Sequence, residues 1–188
     1  MKKIIKFYGL PKTGTNVLYY LLSLNFPNFV ANEQDHHVHY LGWKHGKPIG
    51  FDALQAVEKA TNEKILFVFT YRDFTDWKKS VSEKHVGGWE FPYAFWNYKN
   101  QFLYNTPLGP EVYYSIWHFY KTYITAYQDF CKEHPSDSII IDFKDLKSNQ
   151  IKVVKQIKEK FNLELNYPDP IEIKKQIDSA GKIVNFLN

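Results

Sequence analysis

The stretch from Lys2 to Leu22 constrains the fold more than any other. It reads Lys2-Lys-Ile-Ile-Lys-Phe-Tyr-Gly-Leu-Pro-Lys-Thr-Gly-Thr-Asn16 and runs on into Val17-Leu-Tyr-Tyr-Leu-Leu22. Ile4, Ile5, Phe7 and Tyr8 are β-formers suited to a buried strand. Gly9, Pro11 and Gly14 punctuate a turn, and Thr15 or Asn16 is expected to cap an apolar helix running to Asn25. A loop that feeds a helix N-terminus turns several backbone N–H groups toward one point, where the helix dipole adds partial positive charge. Strand, loop and helix together predict a place that can hold a phosphate-like anion.

The remaining chain alternates in the same way. Lys64-Ile-Leu-Phe-Val-Phe-Thr-Tyr71 is a continuous apolar run, as expected of a parallel strand covered on both faces. Arg72-Asp73 ends it, and the pattern turns helical from Thr75 to Lys84. Ser138-Ile-Ile-Ile-Asp142 is a second short buried strand. Further helices are expected over Asp52–Ala60, with Ala53, Ala56, Val57 and Ala60 inward, and over Glu111–Glu133, stopped by Pro135. In the latter, Tyr113, Trp117, Tyr120 and Ile124 fall at core spacing. A last clear helix spans Gln150–Phe161, with Ser148 as cap and Val153, Val154, Ile157 and Phe161 inward. Phe26–Ala31 should turn into a short extended piece, Asn32–His39 should be a polar loop, and Tyr40–His45 a short strand end. Gly87–Pro110 is aromatic and loop-rich, and the tail from Pro168 suggests one more helix and a closing segment. Strands alternating with helices predict an α/β fold with a central parallel sheet in a single domain over residues 1–188.

Composition narrows the partners. The net charge is +4 with no dense Lys/Arg block, which fits an anionic ligand and gives no nucleic-acid surface. The single cysteine, Cys131, lies in an apolar stretch and is expected to be a buried thiol in a reducing compartment. No run reaches the apolar length of a membrane span, and Met1-Lys-Lys leads straight into a strand-like run. A cytoplasmic protein with no membrane partner is the expectation.

Gly9-x4-Gly14 has the spacing of a phosphate-binding loop, but Thr15-Asn16 stands where a nucleotide triphosphatase has Lys-[Ser/Thr]. The lysine lies inside the loop, at Lys12. Pro11-Lys-Thr-Gly-Thr-Asn16 resembles the 5′-phosphosulfate loop of sulfotransferases that use 3′-phosphoadenosine 5′-phosphosulfate. Tyr71-Arg-Asp-Phe-Thr-Asp-Trp-Lys-Lys-Ser80 is similar to that family's 3′-phosphate motif, an Arg just past a strand (Arg72) with a Ser eight residues on (Ser80). Ser138–Lys147, with its Asp-Phe-Lys-Asp-Leu segment, resembles the family's late strand and the helix after it.

The resemblance implies a three-layer α/β/α core of the nucleotide-kinase type, and a sulfuryl transfer from that donor to a small-molecule or glycan acceptor without metal. It implies that Lys12 stabilises the leaving phosphate and that Pro11, Lys12, Thr13, Gly14, Thr15 and Asn16 cradle the 5′-phosphate, the Thr13 and Thr15 hydroxyls adding contacts. Arg72 and Ser80 would take the 3′-phosphate. For a general base His45, in Trp43-Lys-His45, is the first choice. His36, His37, His39 and Glu33 are rivals. Val17 stands where many members carry an adenine-stacking Trp, so Trp77 or a residue of the aromatic section would have to hold adenine. Of the family's C-terminal nucleotide-binding segment only Ser179-Ala-Gly-Lys182 is an echo. Two other readings stay open: an ATP/Mg²⁺ phosphotransferase with a P-loop, which Asn16 and the displaced lysine disfavour, and a non-catalytic nucleotide binder.

Overall fold

The computed structural model of the chain describes residues 1–30, 41–83, 94–96, 102–106, 109–173, 175–177 and 183–185. Three parallel strands form its centre: β1 (Lys2–Gly9), β2 (Glu63–Tyr71) and β6 (Ser138–Asp142), in the order β1-β2-β6. Strand β1 pairs with β2 from Lys2↔Glu63 to Gly9↔Thr70, and β2 pairs with β6 from Phe67↔Ser138 to Tyr71↔Asp142. Beyond β1, Val30 makes a parallel bridge to Ile5, the short extended piece expected after Phe26. Because the sheet is parallel, all three strands end on one side, with Gly9, Thr70 and Ile141 abreast.

The period of two along β2 builds two cores. Ile65, Phe67 and Phe69 join Tyr8, Leu10, Leu54, Trp77 and the aromatic face of a long helix on one side of the sheet. Leu66 and Val68 join Ile5, Phe7, Ile141 and two further helices on the other. Both faces are thereby covered, which is why β2 is apolar without a break.

Helices α1 (Thr15–Asn25) and α6 (Gln150–Phe161) pack on the second face. Val17, Leu18, Leu21 and Leu22 of α1, and Val153, Val154, Ile157 and Phe161 of α6, are buried as their spacing predicts. On the first face lie α2 (Phe51–Thr61), α3 (Phe74–Glu83) and α4 (Ile116–Glu133). A short helix α5 (Phe143–Ser148) follows β6 directly, with Asp142 as its cap, accepting from the Lys144 N–H. An antiparallel sheet is formed by β3 (Ala94–Trp96), β4 (Phe102–Thr106) and β5 (Gly109–Tyr113).

Several expectations are corrected. The long helix begins at Ile116, not Glu111: Ser115 caps it by accepting from the His118 N–H, and Glu111–Tyr113 belong to β5. Tyr113 is buried from its strand, while Trp117 is half-exposed. In α2 it is Leu54 that is buried, with Val57 half-buried, whereas Ala53, Ala56 and Ala60 face outward. Asn149, not Ser148, caps α6, since the Ser148 hydroxyl is spent on the Lys144 carbonyl. Residues 41–45 form no strand, and the described part of the tail holds a two-stranded hairpin, β7 (Lys175–Ile177) with β8 (Ile183–Asn185), rather than a helix.

Two buried amides fasten the segment that leads to this hairpin. Asn25 accepts from the Ile171 N–H (2.8 Å) and donates to the Ile171 carbonyl (2.9 Å) and to the Leu21 carbonyl (2.9 Å). Gln150 likewise accepts from the Ile173 N–H (2.7 Å) and donates to the Ile173 carbonyl (3.2 Å). Side chains here do for an extended segment what a neighbouring strand would do.

Among the described residues no helix is long and apolar enough to cross a membrane. Cys131 is half-buried with no disulfide, and burial raises the pKa of its thiol.

Candidate functional site

The loop from Leu10 to Gly14 lies where the parallel strands end, the side on which open α/β sheets bind ligands. Its backbone is fixed by donors from the protein interior. The Thr13 hydroxyl donates to the Leu10 carbonyl (2.6 Å), the Trp77 indole N–H to the Pro11 carbonyl (2.8 Å), and an Arg72 Nη1–H to the Lys12 carbonyl (3.1 Å). Thr70 stands 2.7 Å from the Thr13 hydroxyl and joins it to the middle strand. Three successive carbonyls are thus turned inward.

Lys12 (φ 68°) and Gly14 (φ 90°) are both in the left-handed region, which bends the chain sharply into α1. Gly14 is the N-cap of α1, and no side chain caps the helix there. The first helical bond runs from the Leu18 N–H to the Gly14 carbonyl (2.9 Å), so the N–H groups of Thr15, Asn16 and Val17 precede the helix's own ladder. Capping by Thr15 or Asn16 does not occur: Thr15 is buried, and the Asn16 side-chain Oδ1 accepts from Lys44 Nζ (3.2 Å).

Gly9 is required by close approach. A Cβ there would overlap the Thr70 hydroxyl and come within 2.6 Å of Thr13 Oγ1 and 2.9 Å of Thr15 Cγ2. Gly9→Ala is expected to lower stability by about 2 kcal/mol through overpacking. Gly9→Ala combined with Thr70→Ala, which removes the nearest obstacle, should recover part of that loss in urea denaturation. Wild-type stability for Gly9→Ala would mean that the loop base is less tightly packed than this geometry requires.

Positive charge gathers beside the loop. The Gly9 N–H donates to the Lys44 carbonyl (2.9 Å), and the His45 Nδ1–H donates to the Gly9 carbonyl (2.7 Å), so the turn at 44–45 is bound to the end of β1. His45 is 5% exposed. Burial lowers its pKa to about 3; the Gly9 bond works against this, and the Lys44, Lys12 and Lys6 ammonium groups push it lower still. The imidazole is therefore neutral at physiological pH in the midst of three lysines. His45, the first choice of base from the sequence, is thus an enclosed ring bound to Gly9, an arrangement that braces the loop. Lys6 is itself buried in β1, its ammonium 5.2 Å from the centre of the Tyr8 ring.

The same turn is held from the other side. Tyr8 donates to the Leu41 carbonyl, Tyr127 to the Gly46 carbonyl (3.0 Å), and Lys47 reaches Glu111 (3.3 Å). Glu111 also accepts from the Tyr113 and Tyr123 hydroxyls. That carboxylate fastens Lys47 to β5.

Arg72, expected from the sequence to take a 3′-phosphate with Ser80, bonds the loop itself. Besides its bond to Lys12 O, its guanidinium lies 4.5 Å from the centre of the Phe143 ring, and its Nε–H is buried with no hydrogen-bond partner. Burial lowers its pKa and Asp76 opposes that change. Its own carbonyl accepts from Tyr120 (2.6 Å). Ser80 is half-buried on α3 and shares no hydrogen bond with Arg72 or with the loop.

Two other expectations change. The Thr13 hydroxyl faces inward and is not presented to a ligand. Trp77 is fully enclosed among Phe74, Phe119 and Tyr120, so no face of its ring is open to adenine. Glu33, His36, His37 and His39 lie outside the described residues, as do Ser179–Lys182 and most of the aromatic section from Gly87. Among the described residues there is no group of three or more His, Cys, Asp or Glu side chains that could hold a metal.

Sequence reasoning missed Lys44 and Phe143. Lys44 was signalled by its place beside His45; Phe143 carried no signal of its own. No protein-family model, no curated protein and no solved structure matches this chain.

Proposed function

We propose that this protein is a sulfotransferase that takes a sulfuryl group from 3′-phosphoadenosine 5′-phosphosulfate, on a core of the P-loop nucleotide-kinase type. The observation that carries the reading is the meeting of the Lys12 loop, the uncapped start of α1 and Arg72 at one end of the parallel sheet. Amides and cations that converge without rearrangement suit the terminal phosphate and sulfate oxygens of such a donor. In the transfer, the acceptor oxygen or nitrogen forms a bond to sulfur as the bond from sulfur to the bridging phosphate oxygen breaks. The acceptor's proton leaves to a base, and a diphosphoadenosine is released. Lys12 would neutralise charge growing on the bridging oxygen, the N–H groups at the start of α1 would hold the 5′-phosphate, and Arg72 with Ser80 would take the 3′-phosphate. His45, His36, His37, His39 and Glu33 are the candidate bases. The acceptor is a small molecule or a glycan, and the compartment, from the lone Cys131 thiol, is the cytoplasm.

A non-catalytic binder of the same nucleotide is the second reading, favoured by the buried, weakly basic His45. Thermal unfolding with 3′,5′-diphosphoadenosine, ADP and ATP, each with and without Mg²⁺, tests the site. Ligand at a hundredfold over its dissociation constant stabilises by about 2.7 kcal/mol. A rise in Tm with 3′,5′-diphosphoadenosine, independent of Mg²⁺, is the expected result. A rise with ATP and Mg²⁺ only would transfer the assignment to a phosphotransferase, and no rise with any of them would end it.

A further inference from the structure

The end of β6 plays no part in the reading above, yet it touches the loop twice. The register Tyr71↔Asp142 brings the two strands out of the sheet side by side, so that Arg72 and Phe143 are the next residue of each. Asp142, as cap of α5, fixes the direction in which Phe143 leaves. The Phe143 ring then lies against the Arg72 guanidinium, 4.5 Å from ring centre to Cζ. The same ring edge fills the space beside Gly14, where an added Cβ would meet Phe143 Cδ2 at 2.7 Å. Among the described residues Arg72 makes one hydrogen bond to the loop and its buried Nε–H has no partner, which leaves the Phe143 ring face as a further neighbour able to hold its orientation.

We propose that Phe143 is a positioning residue of the anion site, acting through Arg72 and Gly14. The ring holds the guanidinium flat against the loop, with the Nη1–H on Lys12 O, and sets the closest approach of the left-handed turn at Gly14. The site is in this way made from the ends of all three parallel strands: loop from β1, cation from β2, platform from β6. A flat aromatic face is needed, because an aliphatic side chain of similar bulk would pack against Gly14 yet leave the guanidinium without a π surface. The proposal rests on the reading of the loop as an anion site.

The test compares Phe143→Leu with Phe143→Tyr, each alone and with Arg72→Ala. Calorimetry measures the affinity for 3′,5′-diphosphoadenosine and for inorganic pyrophosphate. Phe143→Leu should weaken binding by roughly tenfold, while Phe143→Tyr, which keeps the ring face, should stay within about threefold of wild type. In the Arg72→Ala background Phe143→Leu should cost nothing further, as expected of a residue that acts through Arg72. Wild-type affinity for Phe143→Leu, or an undiminished loss in the Arg72→Ala background, would overturn the proposal. If wild type binds neither probe, the anion-site reading fails by itself, and hydrogen exchange of the ligand-free loop amides at 10 and 12–16 decides on Phe143. Faster exchange in Phe143→Leu than in Phe143→Tyr supports the positioning role, and equal exchange refutes it.

Discussion

On the proposed sulfotransferase reading, Lys12→Ala is expected to slow sulfuryl transfer by about two to three orders of magnitude, the usual cost of losing one preorganised charge-stabilising donor. The affinity for 3′,5′-diphosphoadenosine should fall by less than about tenfold, a change of under 1.4 kcal/mol. The two effects separate because the charge on the bridging oxygen grows as its bond to sulfur breaks, so an ammonium placed there is worth more in the transition state than in the bound donor. The substitution is mild for the fold. Position 12 has φ 68°, and alanine occupies that region at no greater cost than lysine. The loop carbonyls keep their donors on Thr13, Trp77 and Arg72 in the variant. Release of 3′,5′-diphosphoadenosine from the donor, followed once an acceptor has been found by screening, measures the first quantity and calorimetry the second. Equal losses in both would make Lys12 a binding residue only, and an unchanged rate would remove it from the mechanism.

Asn25→Asp is expected to destabilise the protein strongly. The side chain is 1% exposed, and its Nδ2 donates to the carbonyls of Leu21 and Ile171. A carboxylate of the same shape turns an oxygen toward those two carbonyls and donates to neither. At neutral pH the loss should be about 4 kcal/mol, from buried acceptors left unpaired and a buried charge. The pH dependence has a definite sign. Burial raises the folded pKa of the introduced carboxyl above its unfolded value of about 3.9. The folded variant then binds more protons than the unfolded chain between those two values, so its deficit grows as pH rises through that window and is smallest below it. Urea denaturation of wild type and variant at pH 4 and pH 7 checks both statements. An equal deficit at the two pH values would mean that the introduced carboxyl is not desolvated.

The three parallel strands were legible from their apolar runs: both faces of β2 are covered, and with no polar face to interrupt it Ile65–Phe69 is apolar throughout. The α1 and α6 cores were legible for the same local reason, a stripe at helical spacing. Local spacing also misled. Tyr113, Trp117, Tyr120 and Ile124 continue one period through a helix start, and only the hydroxyl of Ser115 marks where β5 ends and α4 begins. Trp77 looked available for adenine, but Phe119 and Tyr120, more than 40 positions on, enclose its ring. Asn25 and Gln150 are polar residues on apolar helices, and their partners lie 146 and 23 positions along the chain. His45 was found at the loop, but its weak basicity comes from burial and from three lysines that spacing does not bring together.

The inward anchoring of the Leu10, Pro11 and Lys12 carbonyls bears on how far this hexapeptide can travel as a unit. Its shape is written partly in Trp77, Arg72 and Thr70, none of which belongs to it. Grafted alone onto another strand–helix junction, Pro11–Asn16 would carry its lysine and its glycine but not the donors that turn its carbonyls away from the ligand. A transplant would have to bring the end of β2 and the first turns of α3 with it. The transferable unit is two crossing segments, and a motif written in one line of sequence records half of it.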